Sequence, residues 1–152
     1  MAPPPRVTRV IGVFRRPRHR VVAATLRAMD PQYLAANGCY FGGGTRIVLE
    51  LDEYRESADI DFLCADAAGY RVLRNAIARN SLGPILSSPV ALAREVRADR
   101  YGIRTVLAMP DMPIKLEIIA EGRIPLAAAD DVGLGVPCLD RISCFAEKFL
   151  AN

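Results

Sequence analysis

Three consecutive glycines, Gly42-Gly43-Gly44, run into Thr45 and Arg46 and are followed at short range by Asp59-Ile60-Asp61-Phe62; nothing else in the chain constrains its fold as tightly. Glycine tolerates backbone angles closed to other residues and has no side chain to hold a neighbour away. A glycine turn that feeds a helix presents backbone N–H groups, and the positive end of the helix dipole, to a phosphate. Two carboxylates on alternate residues of a strand leave it on one face, where they can hold a divalent cation. Together the two features read as a nucleotide site on an α/β scaffold.

The chain has 152 residues, 51% of them hydrophobic, which is enough for one domain with a real core. Its 20 Lys and Arg against 17 Asp and Glu leave a net charge of +3, a balance that permits RNA binding without demanding it. Nearly every positive charge is arginine, with lysine only at Lys115 and Lys148. A basic opening (Arg6, Arg9, Arg15, Arg16, Arg18, Arg20) and a second cluster (Arg94, Arg97, Arg100, Arg104) are as compatible with a solvated face as with a polyanion track. Cys39, Cys64, Cys138 and Cys144 stand among apolar neighbours with no C-x-x-C pair, and His19 is the single histidine. They read as buried reduced thiols of a cytoplasmic protein, not as a zinc site or a disulfide framework. No apolar run approaches the roughly 20 residues of a membrane span.

Residues 1–18 are rich in Pro and Arg and are expected to form a flexible basic arm, with a short extended piece at 10–14; residues 19–152 are expected to form the folded domain. Val21, Val22, Leu26 and Met29 recur at helical spacing, and Asp30-Pro31 starts a further turn that Gly38 closes. Residues 39–41 read as a buried strand ended by the glycines, and 45–51 as a helix. The run Ile60, Phe62, Cys64 alternates with Asp59 and Asp61, so the core lies on one side of that strand and the carboxylates on the other. Residues 66–79 are an amphipathic helix broken at Leu82-Gly83-Pro84, before an extended piece at 85–87. Residues 91–98 and 103–107 make a hairpin. Residues 114–119 are a further strand, with Ile114, Leu116 and Ile118 on one face and Lys115 and Glu117 on the other. A helix over 139–151 carries Ile142, Phe145 and Phe149 on one stripe and Lys148 off it.

Magnesium takes oxygen ligands, commonly one or two protein carboxylates completed by phosphate oxygens, and Asp59 and Asp61 suit that demand. Glu117 closes the site as a third carboxylate if its strand lies beside theirs, clamping the cation or taking a proton from an attacking hydroxyl. Arg46, Arg55 and Lys148 are candidate charges for a polyphosphate. Each signal has a plainer reading: a lone Gly-Gly-Gly is usually only a turn, D-x-D is often a solvated strand edge, and Lys115 with Glu117 can be a surface pair. Their order and spacing favour the site.

These residues resemble the DNA polymerase β-like nucleotidyltransferases, whose signature is Gly-Gly-(Ser/Thr), then D-x-D, then an acidic residue on a separate strand. Here the matching positions are Gly43-Gly44-Thr45, Asp59-Ile60-Asp61 and Glu117. Within that superfamily Phe41 through Thr45, with Arg55, Ser57 and Asp59 through Phe62, is similar to the AbiEii/AbiGii-type (MenT-like) toxins, as is the segment Leu139-Asp140 through Ala146-Glu147-Lys148-Phe149-Leu150-Ala151. The resemblance implies an α/β (α+β) fold, a mixed sheet flanked by helices. It implies Mg²⁺ or Mn²⁺ on Asp59, Asp61 and Glu117, and NTP phosphates at Gly43, Gly44 and Thr45. Lys148 would reach the nucleotide, with Arg46 and Arg55 assisting. Ser57, just ahead of the metal strand, would be a place where modification by an antitoxin adds opposing charge. The implied activity is transfer of a nucleotide from NTP to RNA, notably the 3′ end of tRNA, by the toxin of a toxin–antitoxin pair. Nucleotidylation of a protein or small molecule stays open, as does a catalytically weak domain that binds NTP, RNA or antitoxin. Two departures stand out: the third acidic position is Glu, where Asp is commoner, and such toxins continue into a helical C-terminal domain, so a catalytic domain truncated at its C-terminal end is expected.

Overall fold

The computed structural model describes residues 14–130 and 132–151. Pro17 occupies the first turn of α1 (Pro17–Arg27), where its missing N–H costs nothing, so the helix starts ahead of Val21, its first periodic position. Asp30 caps α2 (Pro31–Ala36), its carboxylate accepting the Tyr33 N–H at 3.1 Å. Strand β1 (Cys39–Gly42) leads directly into α3 (Gly43–Glu50), and β2 (Ile60–Cys64) follows after a loop. Asp66 caps α4 (Ala67–Asn80). Strands β3 (Leu92–Ala98), β4 (Gly102–Ala108) and β5 (Pro113–Ala120) then precede α5 (Arg141–Ala151).

The five strands form one mixed sheet in the order β1-β2-β5-β4-β3. Only β2 and β5 run parallel among these pairs; β1–β2, β4–β5 and β3–β4 are antiparallel. The parallel pair needs a long crossover, and α4 with the β3–β4 hairpin supplies it. One face of the sheet carries Phe41, Ile60, Phe62, Ile103, Ile114, Leu116 and Ile118, all fully buried in one cluster with Val22 and Leu26 of α1, Leu34 of α2 and Leu73 and Ile77 of α4. The other face is covered by a smaller cluster, Ile47 of α3 and Leu139 and Cys144 at α5 packed on Leu63.

Several expectations change in detail. Of the expected arm, residues 1–13 lie outside the described residues, whereas Phe14 is buried and the amides of Arg15 and Arg16 donate to Glu53 at 2.9 and 3.0 Å, so residues 14–18 are held against the domain. The extended piece at 85–87 is instead a 3₁₀ turn, Gly83–Ile85, followed by a single bridge from Leu86 to Met29. In α5 the apolar stripe does not face the core: Ile142 and Phe149 are 81% and 80% exposed, and the buried side is Ser143, Cys144 and Glu147. Capping sets that rotation. Asp140 accepts the Ser143 N–H at 2.7 Å, and Ser143 Oγ accepts the Ala127 N–H at 3.0 Å, which turns the small and polar residues inward. Cys39, Cys64, Cys138 and Cys144 are buried thiols, as expected. Among the described residues no helix is long and apolar enough to cross a membrane.

Glu147 faces Glu121, which follows β5, and Arg123 bridges them, with Nη2 at 2.7 Å from Glu121 and 3.9 Å from Glu147. Burial, then the neighbouring Glu121, pushes Glu147 up to about 7, while Arg123 holds Glu121 down at about 2. A carboxyl that holds its proton more tightly when folded stabilises the fold at low pH, and that contribution fades as pH rises through the folded value. Glu147→Gln is therefore expected to flatten the loss of stability from pH 5 to 8 and, at pH 8, to exceed wild type by about 1–2 kcal/mol. Thermal melts across that range measure it.

Candidate active site

The strand β1 ends where the glycine turn begins, and Gly43 takes φ +76°, a left-handed angle that favours glycine, as it opens α3. Space makes the second demand. A Cβ on Gly43 would lie 2.5 Å from Oδ2 of Asp61, so only glycine lets the helix start directly against that carboxylate. A Cβ on Gly44 would lie 3.0 Å from Nη2 of Arg55, which sets that guanidinium beside the turn.

Pairing does the same for the carboxylates. In the parallel ladder Asp61 stands opposite Glu117, and on its other side Asp61 stands opposite Gly42. The strand adjacency that the sequence left open is thus present, and both carboxylates leave the sheet on the face away from the main core. Burial, then Glu117, then Asp59, push Asp61 up to about 6, with Lys115 opposing. Asp59 is exposed just ahead of β2. Glu117 is engaged by Lys115 Nζ at 2.9 Å and Arg104 Nε at 3.6 Å. Among the described residues no three His, Cys, Asp or Glu side chains stand close enough to form a ready cage for a metal ion. The donor chemistry nonetheless suits a hard divalent cation: Asp59 and Asp61 would supply the one or two carboxylates magnesium commonly takes, and the Glu117 and Asp59 charges that add to the effect of burial on Asp61 are the kind a cation offsets.

Over residues 25–152 the chain matches the family described as the nucleotidyl transferase AbiEii toxin of type IV toxin–antitoxin systems. The chain belongs to the AbiEii family. No curated protein matches it. Among solved structures it is similar to an H. pylori protein described as a candidate nucleotidyltransferase, at 18% identity and a TM-score of 0.48, over 86% of this chain and 56% of that one. The chain thus spans little more than half the length of that protein. The mixed sheet flanked by helices is the architecture expected of a polymerase β-like nucleotidyltransferase domain, the fold that membership in the AbiEii family implies.

The remaining residues expected at this AbiEii site divide into two groups. Thr45 is buried, and its hydroxyl shares a 2.7 Å hydrogen bond with that of Ser57, tying the glycine turn to the segment that leads into Asp59. Lys148 is exposed on α5 with no ion pair among the described residues. It follows Cys144, a thiol that burial raises to about 11, by one helical turn, and α5 packs against α3, so the lysine rides on the helix beside the glycine turn. Arg46, expected to help hold phosphates, is instead buried: its Nη2 donates to Glu50 at 3.2 Å and to the Leu139 carbonyl at 3.1 Å. One turn into α3 its side chain faces α5, so it clamps the two helices together and is not exposed at the turn.

Two residues of the site have no signal in the sequence. His19 is fully buried in α1, with Nδ1 2.9 Å from Oε1 of Glu53 and Nε2 accepting the N–H of Ser57 at 3.1 Å. Because Nε2 accepts, the ring proton sits on Nδ1 and points at Glu53. Glu53 itself holds φ +52°, and the amides of Arg16 and Arg15 with His19 keep its carboxyl at about 2 against the opposing effect of burial. These groups fix the loop from Asp52 to Ser57, which carries Arg55 and delivers Asp59. The contact joins residues 34 apart, which no local pattern reveals.

Gly43→Ala should lose magnesium-dependent NTP binding, measured by titration calorimetry, and fall in stability by about 1–3 kcal/mol, because the strained angle and the clash with Asp61 act together. Asp61→Asn should have the opposite effect on stability. The raised Asp61 stabilises the fold below its unfolded value and loses that contribution as pH rises through about 6, so in metal-free buffer at pH 7.5 the variant should melt higher than wild type, by about 1–2 kcal/mol.

Proposed function

We propose that this chain transfers a nucleotide from a nucleoside triphosphate to an RNA acceptor, with a 3′ end such as that of tRNA as the target, in a magnesium- or manganese-dependent reaction. The observation that carries this reading is the close approach of Gly43 to Asp61, itself paired with Glu117: the glycine turn and a carboxylate pair share one point of the sheet.

Each residue then has a task. The backbone N–H groups at the start of α3 face the phosphates, and the dipole of that helix favours their charge. Arg55, beside Gly44, and Lys148, on the exposed side of α5, add positive charge that can follow the polyphosphate as its leaving group departs. Asp59 and Asp61 would hold the cation, and that ion, when bound, neutralises the triphosphate and orients it for in-line attack. Glu117 would accept the proton of the attacking hydroxyl, with the Lys115 ammonium 2.9 Å from it. Thr45 and Ser57, bonded to each other, hold the turn and the approach to Asp59 in one shape. Membership in a family of toxins from toxin–antitoxin systems supports a cognate antitoxin as partner and a cytoplasmic setting.

Incubation with labelled NTP, magnesium and total RNA should place label on RNA. Asp59→Ala and Asp61→Ala should each reduce it by at least about a hundredfold. Label on RNA that survives both changes would remove the carboxylates from the mechanism, and label on protein instead of RNA would move the acceptor to another class.

A further inference from the structure

One transverse row of the sheet continues past the carboxylates. Gly42 pairs with Asp61, Asp61 with Glu117, Glu117 with Arg104, and Arg104 with Arg97. Residues opposite one another in a ladder leave the sheet on the same side, so the two arginines share the carboxylate face. The Arg104–Glu117 ion pair at 3.6 Å and the packing of Val96 against the main core on the reverse side agree with that placement. Arg94, opposite Val106, stands two residues along β4 from Arg104 and joins the same face through an irregularity in the β3 ladder.

We propose that the part of this face formed by β4 and β3 is the bed for the RNA acceptor strand, with Arg104, Arg97 and Arg94 holding its phosphates and leading its end to Asp61 and Glu117. This assignment rests on the nucleotidyl-transfer reading and adds to it the surface on which the acceptor lies. Four observations support it. The apolar cluster of α3 and α5 covers this face beside β1 and β2, where Leu63 packs, and the residues of β3 other than Val96 lie exposed at the sheet edge. Arg94 and Arg97 are exposed and have no ion pair among the described residues. Arg104 remains 49% exposed, leaving donors of its guanidinium available. The row from Asp61 to Arg97 crosses three strand spacings, about 14 Å, which is room for a few nucleotides and lies beyond the triphosphate cradle at the glycine turn. Guanidinium groups stay charged and match phosphate oxygens with paired donors, so an exposed row of three arginines suits a nucleic-acid backbone better than a protein acceptor.

The test uses the full chain and a fluorescent single-stranded oligoribonucleotide, with anisotropy read across a salt series. The double variant Arg94→Gln/Arg97→Gln should bind the oligonucleotide about tenfold more weakly, with the slope of log affinity against log salt reduced by about 1.4, the value for two lost phosphate contacts on a single strand. Its melting temperature and its magnesium–NTP affinity should match wild type. Arg71→Gln/Arg79→Gln, on α4 across the sheet, changes charge equally and should leave affinity and slope unchanged. Arg94→Lys/Arg97→Lys should keep most of the slope. The assignment is overturned if the β3 variant binds RNA as wild type does, if the α4 variant weakens it equally, if wild type binds no RNA, or if the β3 change affects labelling of a protein acceptor instead. Failure of the nucleotidyl-transfer reading looks different: wild type would bind the oligonucleotide with the expected slope and transfer no label.

Discussion

The parallel pairing of β2 with β5 is the contact on which the rest of the molecule depends. It sets Asp61 against Glu117, two like charges whose proximity opposes folding and is moderated by Lys115, by Arg104 and by a proton on Asp61 below about pH 6. A sheet that placed apolar residues at this register would be more stable. A functional site commonly stores such repulsion so that a cation or a substrate can relieve it. The same pairing forces the chain to make a long crossover, and the crossover delivers the β3–β4 hairpin to the sheet edge beyond the carboxylates.

The two sides of the sheet are used differently. One side is closed by α1, α2 and α4 over a continuous apolar cluster, which fixes strand register because a slip by one residue would send Ile114, Leu116 and Ile118 out to solvent. The other side carries a small cluster under α3 and α5, and the carboxylate pair lies beside it. Buried polar contacts hold that boundary. His19 and Glu53 fix the loop before Asp59, and Arg46 ties α3 to Leu139. Each acts on backbone, where small displacements move the glycine turn relative to Asp61.

The helix α5 shows how a side-chain pattern and a packing direction can part company. Its apolar residues recur at helical spacing, and the pattern identifies the helix correctly. The face that packs is nevertheless the one with Ser143, Cys144 and Glu147, because the cap at Asp140, the bond from Ser143 to Ala127 and the packing against α3 turn that side inward.

Local chemistry was legible in the residues themselves. Glycines at 42–44 had to make a turn, alternation at 59–64 and 114–119 had to make strands with one charged face, and Asp30 and Pro31 had to open a helix, because such preferences act within a few residues. Whether Glu117 met Asp61, whether Arg97 and Arg104 shared its face, and which way Arg46 and the α5 stripe pointed depended on strand order and helix rotation. Those are fixed by burial summed over the whole chain, as in the 34-residue separation of His19 from Glu53, and no local window contains that sum.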